Sequence, residues 1–252
     1  MLMTYDQYIQ NTMGVKNAVF SNRELYRGLY TDKLNKILVR EGGKIEYHLY
    51  KGRKKYYAFI KVPSEVVEKF YYDVVIEFSE PEGKTPRDLR GYNVRFYSND
   101  PSFVFTFAHA FIKNELFIDN YKDKMSKRAV KENADEKNPT NQVGYVKSLY
   151  FAYLIMAQKG LFSKLLYIDN YSERTVKNMI MLADEKIALR QELGAEAKKK
   201  KPEIKKKKET PKQPRENLTQ TVNRITHTKT VKQINSSKIA KGIKKTKTTK
   251  RI

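Results

Sequence analysis

The spacing of apolar positions changes along the chain, and the change marks out its parts. Tyr5 to Asn11 and Ser21 to Val39 follow a helical period, the second with Leu25, Leu29, Leu34 and Leu38 on one side, and Gly42-Gly43 stops it. The period then drops to two. Lys44 to Tyr50 and Lys55 to Val62 alternate around Lys51-Gly52-Arg53-Lys54, which predicts a hairpin with a four-residue connection. Antiparallel pairing across that turn puts Ile45, Tyr47 and Leu49 with Tyr56, Ala58 and Ile60 on one face, the expected buried one, and Tyr50 and Tyr57 on the opposite face.

Pro63-Ser64 is expected to open a short helix over Glu65 to Phe70, and Tyr72 to Phe78 and Tyr92 to Tyr97 read as two more strands. Asn99-Asp100-Pro101 supplies a cap and a first-turn proline for an aromatic helix from Ser102 to Lys113. Beyond it the pattern stays helical. Asn138-Pro139 is a break, Val143 to Gln158 is an apolar helix ended by Gly160, and Ser172 caps a helix running to Leu193. In that last helix Val176, Ile180, Ala183 and Ile187 define the buried stripe, and Gly194 marks the end of the body. The fold class is therefore α+β: an antiparallel sheet of about four strands within residues 40–98, then a helical half over 100–194. One short echo, Phe117-Ile118-Asp119-Asn120-Tyr121 against Tyr167-Ile168-Asp169-Asn170-Tyr171, falls short of a repeat array, and its aspartates read as helix caps rather than metal ligands.

Charge changes the picture of the C-terminus. The 252 residues carry a net +23, but 195–252 hold 20 Lys or Arg against 4 Asp or Glu, a balance of +16, and no acid follows Glu216. All 18 Tyr and 12 Phe precede residue 195, so this stretch has charge and nothing to pack. The sequence predicts a globular body over 1–194 and a disordered Lys-rich tail over 195–252. An AT-rich genome accounts for abundant lysine, not for the loss of acids. A one-signed block beside a near-balanced body is suited to a polyanion such as nucleic acid. The candidate contacts are Lys198, Lys199, Lys200 and Lys201, then Lys205, Lys206, Lys207 and Lys208, and at the end Lys244, Lys245, Lys247, Lys250 and Arg251. Lysine acts as a point charge without arginine's planar fork, so these contacts are expected to be indifferent to sequence. A second candidate is the hairpin tip, where Lys51, Arg53, Lys54 and Lys55 adjoin Tyr57: cations for phosphates and a ring for base stacking.

Enzyme chemistry finds little support. There is no Cys, and His48, His109 and His227 are scattered, so no metal site and no cofactor is expected. Phosphate-binding glycine loops and the G-x-S-x-G elbow are missing. A metal-dependent nuclease needs paired carboxylates and a lysine; the nearest set is Asp73 with Glu82 and Lys84, the latter two in a Pro/Gly loop. The start lacks a basic leader followed by an apolar run, and Leu149 to Ala157 is too short to span a bilayer, so the expected location is the cytoplasm or a virion rather than a secreted or membrane state.

With its tyrosine-rich strands, aromatic helices and lysine tail, the stretch from about residue 20 to 190 resembles in overall style, though by no diagnostic motif, structural proteins of bacteriophages that infect AT-rich Gram-positive hosts. The resemblance implies a virion-associated or genome-packaging protein, non-enzymatic, with nucleic acid and a protein partner or its own copies as partners. A replication or regulatory nucleic-acid binder using the hairpin is the alternative, and a nuclease the third.

Overall fold

The computed structural model describes residues 2–13, 23–52, 54–132, 134, 137–168 and 172–200, with side chains at 13, 23–28 and 198–200 left aside. The first compact unit of the chain spans Met1–Lys201. Residues 195–200 of the expected disordered tail are helical, whereas 201–252 with their lysines, and Asp169 of the second echo, lie outside the described residues.

The architecture is α+β, a four-stranded antiparallel sheet in the order β1-β2-β3-β4 with helices on both faces. The chain enters through α1 (Tyr5–Met13) and α2 (Arg23–Arg40). Gly42 and Gly43 close α2 with φ of 78° and 73°, a left-handed geometry that costs glycine nothing, and the Gly43 amide donates to the Leu38 carbonyl. The buried stripe of α2 is Leu34 and Ile37, with Tyr30 and Leu38 against them, whereas Leu29 faces outward at 61% exposure.

Strands β1 (Tyr47–Gly52) and β2 (Lys55–Pro63) put Tyr47, Leu49, Tyr56, Ala58 and Ile60 on one face as the alternation predicts, but in a register two residues away from that of a four-residue connection, with Tyr47 opposite Ile60 and Leu49 opposite Ala58. The ladder continues to Gly52 opposite Lys55, so two residues make the connection instead of four, and Lys54 takes a φ of 63°. β3 (Tyr71–Ser79) and β4 (Asn93–Ser98) complete the meander. The expected helix over Glu65–Phe70 is instead a turn. Ser64 Oγ accepts the amides of Val66 and Val67, and the Ser64 amide donates to the Phe70 carbonyl, which closes the loop before a helix can propagate.

Both faces of the sheet are buried. Over the face of Leu49, Ala58, Ile76 and Phe96 lie α1, α3 (Ala108–Lys113) and α5 (Lys147–Gln158): the rings of Tyr5, Tyr8 and Phe111 meet Phe96, and Ser148 bonds Ser98. Over the face of Tyr50, Tyr57, Asp73 and Tyr97 lie a 3-10 turn, Asp119–Lys124, and the helices α6 (Glu173–Met179) and α7 (Ala183–Lys200). Here Tyr121 meets Tyr97 and bonds the Tyr50 hydroxyl, and Lys186 of α7 approaches Asp73. A short helix α4 (Lys127–Lys131) completes the order.

The aromatic helix begins as a π-helical turn, Phe103–Phe107, before becoming α3. Ser172 caps α6 as expected by accepting the Thr175 amide, but the single long helix is split. Ile180 leaves the helix so that its side chain and those of Val176, Ala183 and Ile187 all stay buried. Gly194 does not end the body. It lies inside α7, where a β-carbon would stand 4.0 Å from the Val67 side chain, and the helix continues to Lys200.

The described parts of the echoing segments each bridge an edge strand of the sheet. Phe117 makes a parallel bridge to Phe96 on edge strand β4, and Ile168 makes one to Tyr50 on edge strand β1. Each edge thus has some of its outward backbone groups paired, which discourages edge-to-edge association.

Candidate functional site

The hairpin does not present the surface its sequence suggests. Tyr57 is only 5% exposed and stacks on Tyr50 at 4.8 Å with an interplanar angle of 5°. Burial pushes its hydroxyl well above the ordinary tyrosine range, with Glu77 and Glu173 adding to the effect. It is core, unavailable for base stacking. The presumed buried partner Tyr47, on the other face, is 40% exposed, and Tyr56 is half-buried. Lys55 is committed to Glu77, a buried carboxylate 2.8 Å away, and the Lys51 ammonium lies 5.8 Å from the Tyr56 ring centre. Of the tip cations, Lys51 and Lys54 remain exposed, and Arg53 lies outside the described residues. Lys198, Lys199 and Lys200 are placed on the last turn of α7, where cations complement the negative end of the helix dipole. Lys201 and the later tail cations are outside the described residues.

The nuclease set is not assembled. Asp73 sits near the start of β3, and Glu82 and Lys84 follow the far end of that strand, about 20 Å away at the ordinary rise per residue. Among the described residues no group of three His, Asp or Glu side chains stands ready to hold a metal ion. Asp73 instead anchors a buried polar network. Its Oδ2 accepts from Asn99 Nδ2 at 2.7 Å, and its amide donates to Asn99 Oδ1 at 2.8 Å. The Lys61 ammonium stands 2.7 Å from Oδ1, an ion contact out of line for a hydrogen bond, and Lys186 lies 3.9 Å from Oδ2. Burial pulls Lys186 below the ordinary lysine value, and the attraction of Asp73 only partly opposes it. The network joins β2, β3, the end of β4 and α7, and its geometry is that of a structural clamp.

The cavity that draws together the most diverse chemistry is a cleft of about 360 Å³ where β2 ends, between α2, α5 and α7. Tyr30, Tyr145 and Phe151 form an aromatic wall, and Ser64, Ser102 and Ser148 also line the cleft. Glu65 and Lys147 face each other in an ion pair, with Lys33 on the second Glu65 oxygen. Burial alone would raise the Glu65 carboxyl, but the two lysines outweigh it and hold it below its usual value. Asp100 is buried and its carboxyl is raised, chiefly by desolvation, although the Ser102 amide donates to it at 2.9 Å. Arg190 enters from α7 beside the Tyr72 phenol, and its Nε is buried with no hydrogen-bond acceptor among the described residues. A buried donor in that condition costs about 1–3 kcal/mol.

Sequence reasoning missed this cleft. Asp100 was legible as a cap, but Glu65, Lys147 and Arg190 are far apart in the chain and each reads alone as a surface charge. The arrangement can bind and orient a small polar molecule. The Ser148 hydroxyl, bonded to Ser98, also reaches the Asp100 carboxyl.

A second groove runs beside the π-helical turn, where Phe105, His109, Arg128 and Lys137 line about 770 Å³. His109 is tied to the Val130 carbonyl and Arg128 to Glu132, so its charges are largely committed. No helix among the described residues is long and apolar enough to cross a membrane. No family model, no curated protein and no solved structure matches this chain, so the reading of its function rests on its own residues.

Proposed function

We propose that this is a non-enzymatic, virion-associated or otherwise structural protein whose α+β body carries a cationic tail that binds nucleic acid through phosphates, without reading sequence. The observation that carries the reading is charge segregation: residues 195–252 hold +16 of the +23 net charge and no aromatic residue. The placement of Lys198 to Lys200 on α7 supports it, because that helix is fastened to the body by Leu189 and Leu193 against Val67, Phe70 and Tyr72. Contacts made by the tail are thereby transmitted to a fixed body. The hairpin alternative loses its stacking element with the burial of Tyr57.

The test is a salt titration of duplex DNA binding. If six to eight tail cations neutralise phosphates, log K falls against log salt with a slope of roughly −5 to −7. A full-length variant with Lys205 to Lys208, Lys244, Lys245, Lys247, Lys250 and Arg251 changed to Gln loses most of that slope, and unrelated sequences bind alike. Unchanged affinity in the variant, or more than about a hundredfold preference for one sequence, defeats the proposal.

A further inference from the structure

We infer that the cleft between α2, α5 and α7 is a binding site for a small molecule with an anionic head, carboxylate or phosphate, on a flat apolar body. The case starts from which charges in the cleft are already spent. Glu65 is neutralised by Lys147 and Lys33, and Lys147 is in turn committed to Glu65. Asp100 is occupied by the Ser102 amide. Arg190 is different: its neighbour is the neutral Tyr72 phenol, and its buried Nε lacks an acceptor among the described residues. Among the described residues of the cleft two buried polar groups therefore lack a hydrogen-bond partner, the Tyr145 hydroxyl and Arg190 Nε; the second is a cationic donor, and a planar guanidinium fork matches the paired oxygens of a carboxylate or phosphate.

The walls set the rest of the ligand. The rings of Tyr30, Tyr145 and Phe151 line the same cavity, a surface on which a flat ring is better accommodated than a polyol. The Asp100 carboxyl, which would oppose an anionic head, already accepts the Ser102 amide at 2.9 Å. A volume of about 360 Å³ lies at the small end of ligand pockets, enough for one ring and its head. None of the described residues that line the cleft belongs to 195–252. The site is thus independent of the proposed tail function.

Phenyl phosphate and benzoate serve as probes on the full chain, with phenol and inorganic phosphate as their separated halves. Binding is followed through NMR resonances of labelled tyrosine rings and of arginine Nε–H. One of the two intact probes is expected to saturate below about 1 mM, shift Tyr30, Tyr145 and Arg190, and bind at least tenfold tighter than phenol or inorganic phosphate. Which of the two wins identifies the head. Arg190→Gln should weaken it at least tenfold, and the tail-neutralised variant should bind it equally well. The inference fails if neither probe saturates, if the shifts avoid the cleft, or if a folded Arg190→Gln protein binds as before. It also fails if neutralising the tail abolishes binding, a result that would leave the tail reading intact. Should Arg190→Gln not fold, the map of shifts on the unaltered chain decides alone.

Discussion

Replacing Lys61 by Met tests whether the Asp73 network holds the sheet to α7. The substitution keeps an unbranched stem of similar size, able to remain against the Phe59 ring, over which the ammonium now stands at 5.2 Å. What it removes is the cation 2.7 Å from a carboxylate whose side chain is 1% exposed. Breaking a buried pair from one side costs about 3–5 kcal/mol, because the remaining charge stays in low dielectric without its partner. Asn99 and the more distant Lys186 still face Asp73, which places the expected loss near the lower end, about 3 kcal/mol. For a body of this size that is a fall in Tm of about 6–12 °C. Asp73→Asn should cost less, since the stranded Lys61 side chain is 19% exposed and can turn toward water, whereas a stranded Asp73 cannot. The double variant should lose about 2 kcal/mol less than the sum of the two single losses, as coupled neighbours do. Urea unfolding of the three variants, followed by tyrosine fluorescence, supplies the cycle. A Lys61→Met loss under about 1 kcal/mol, or simple additivity, refutes the view that this pair is coupled in the folded state.

Lys186 gives a pH dependence of defined sign. Its folded value is lowered from 10.5, chiefly by burial, so between that depressed value and the ordinary one the unfolded chain binds more protons and stability rises with pH. The urea midpoint of the natural chain, relative to Lys186→Met, should therefore climb through the alkaline range toward pH 10; a falling difference contradicts the assignment. Limited trypsin digestion should first leave a stable fragment ending between Lys198 and Lys201, since cutting at Arg190 requires undocking Leu189 and Leu193. Mass spectrometry of a primary fragment ending at Arg190 would show that α7 is not fastened as described.

Several features were legible in the sequence because local physics decides them. Glycines with positive φ stop α2 and α5, Ser172 caps α6, and alternation puts Leu49, Ala58 and Ile60 on one face of the sheet. The separation of an aromatic body from a lysine-rich tail is composition alone. Tertiary structure decided which tyrosines are core. Alternation says that two faces of a strand differ, but not that each will be covered, and the residues covering Tyr50 and Tyr57 come from Tyr121 and the α6 region, tens of residues away. The same holds for the split between α6 and α7: a continuous helix keeps its stripe on one straight line, whereas the stripe here bends where Ile180 leaves the helix. The cleft was least visible of all. Glu65, Asp100, Lys147 and Arg190 belong to four separate segments, and only packing brings them to one cavity, where burial turns ordinary surface charges into groups that must find partners.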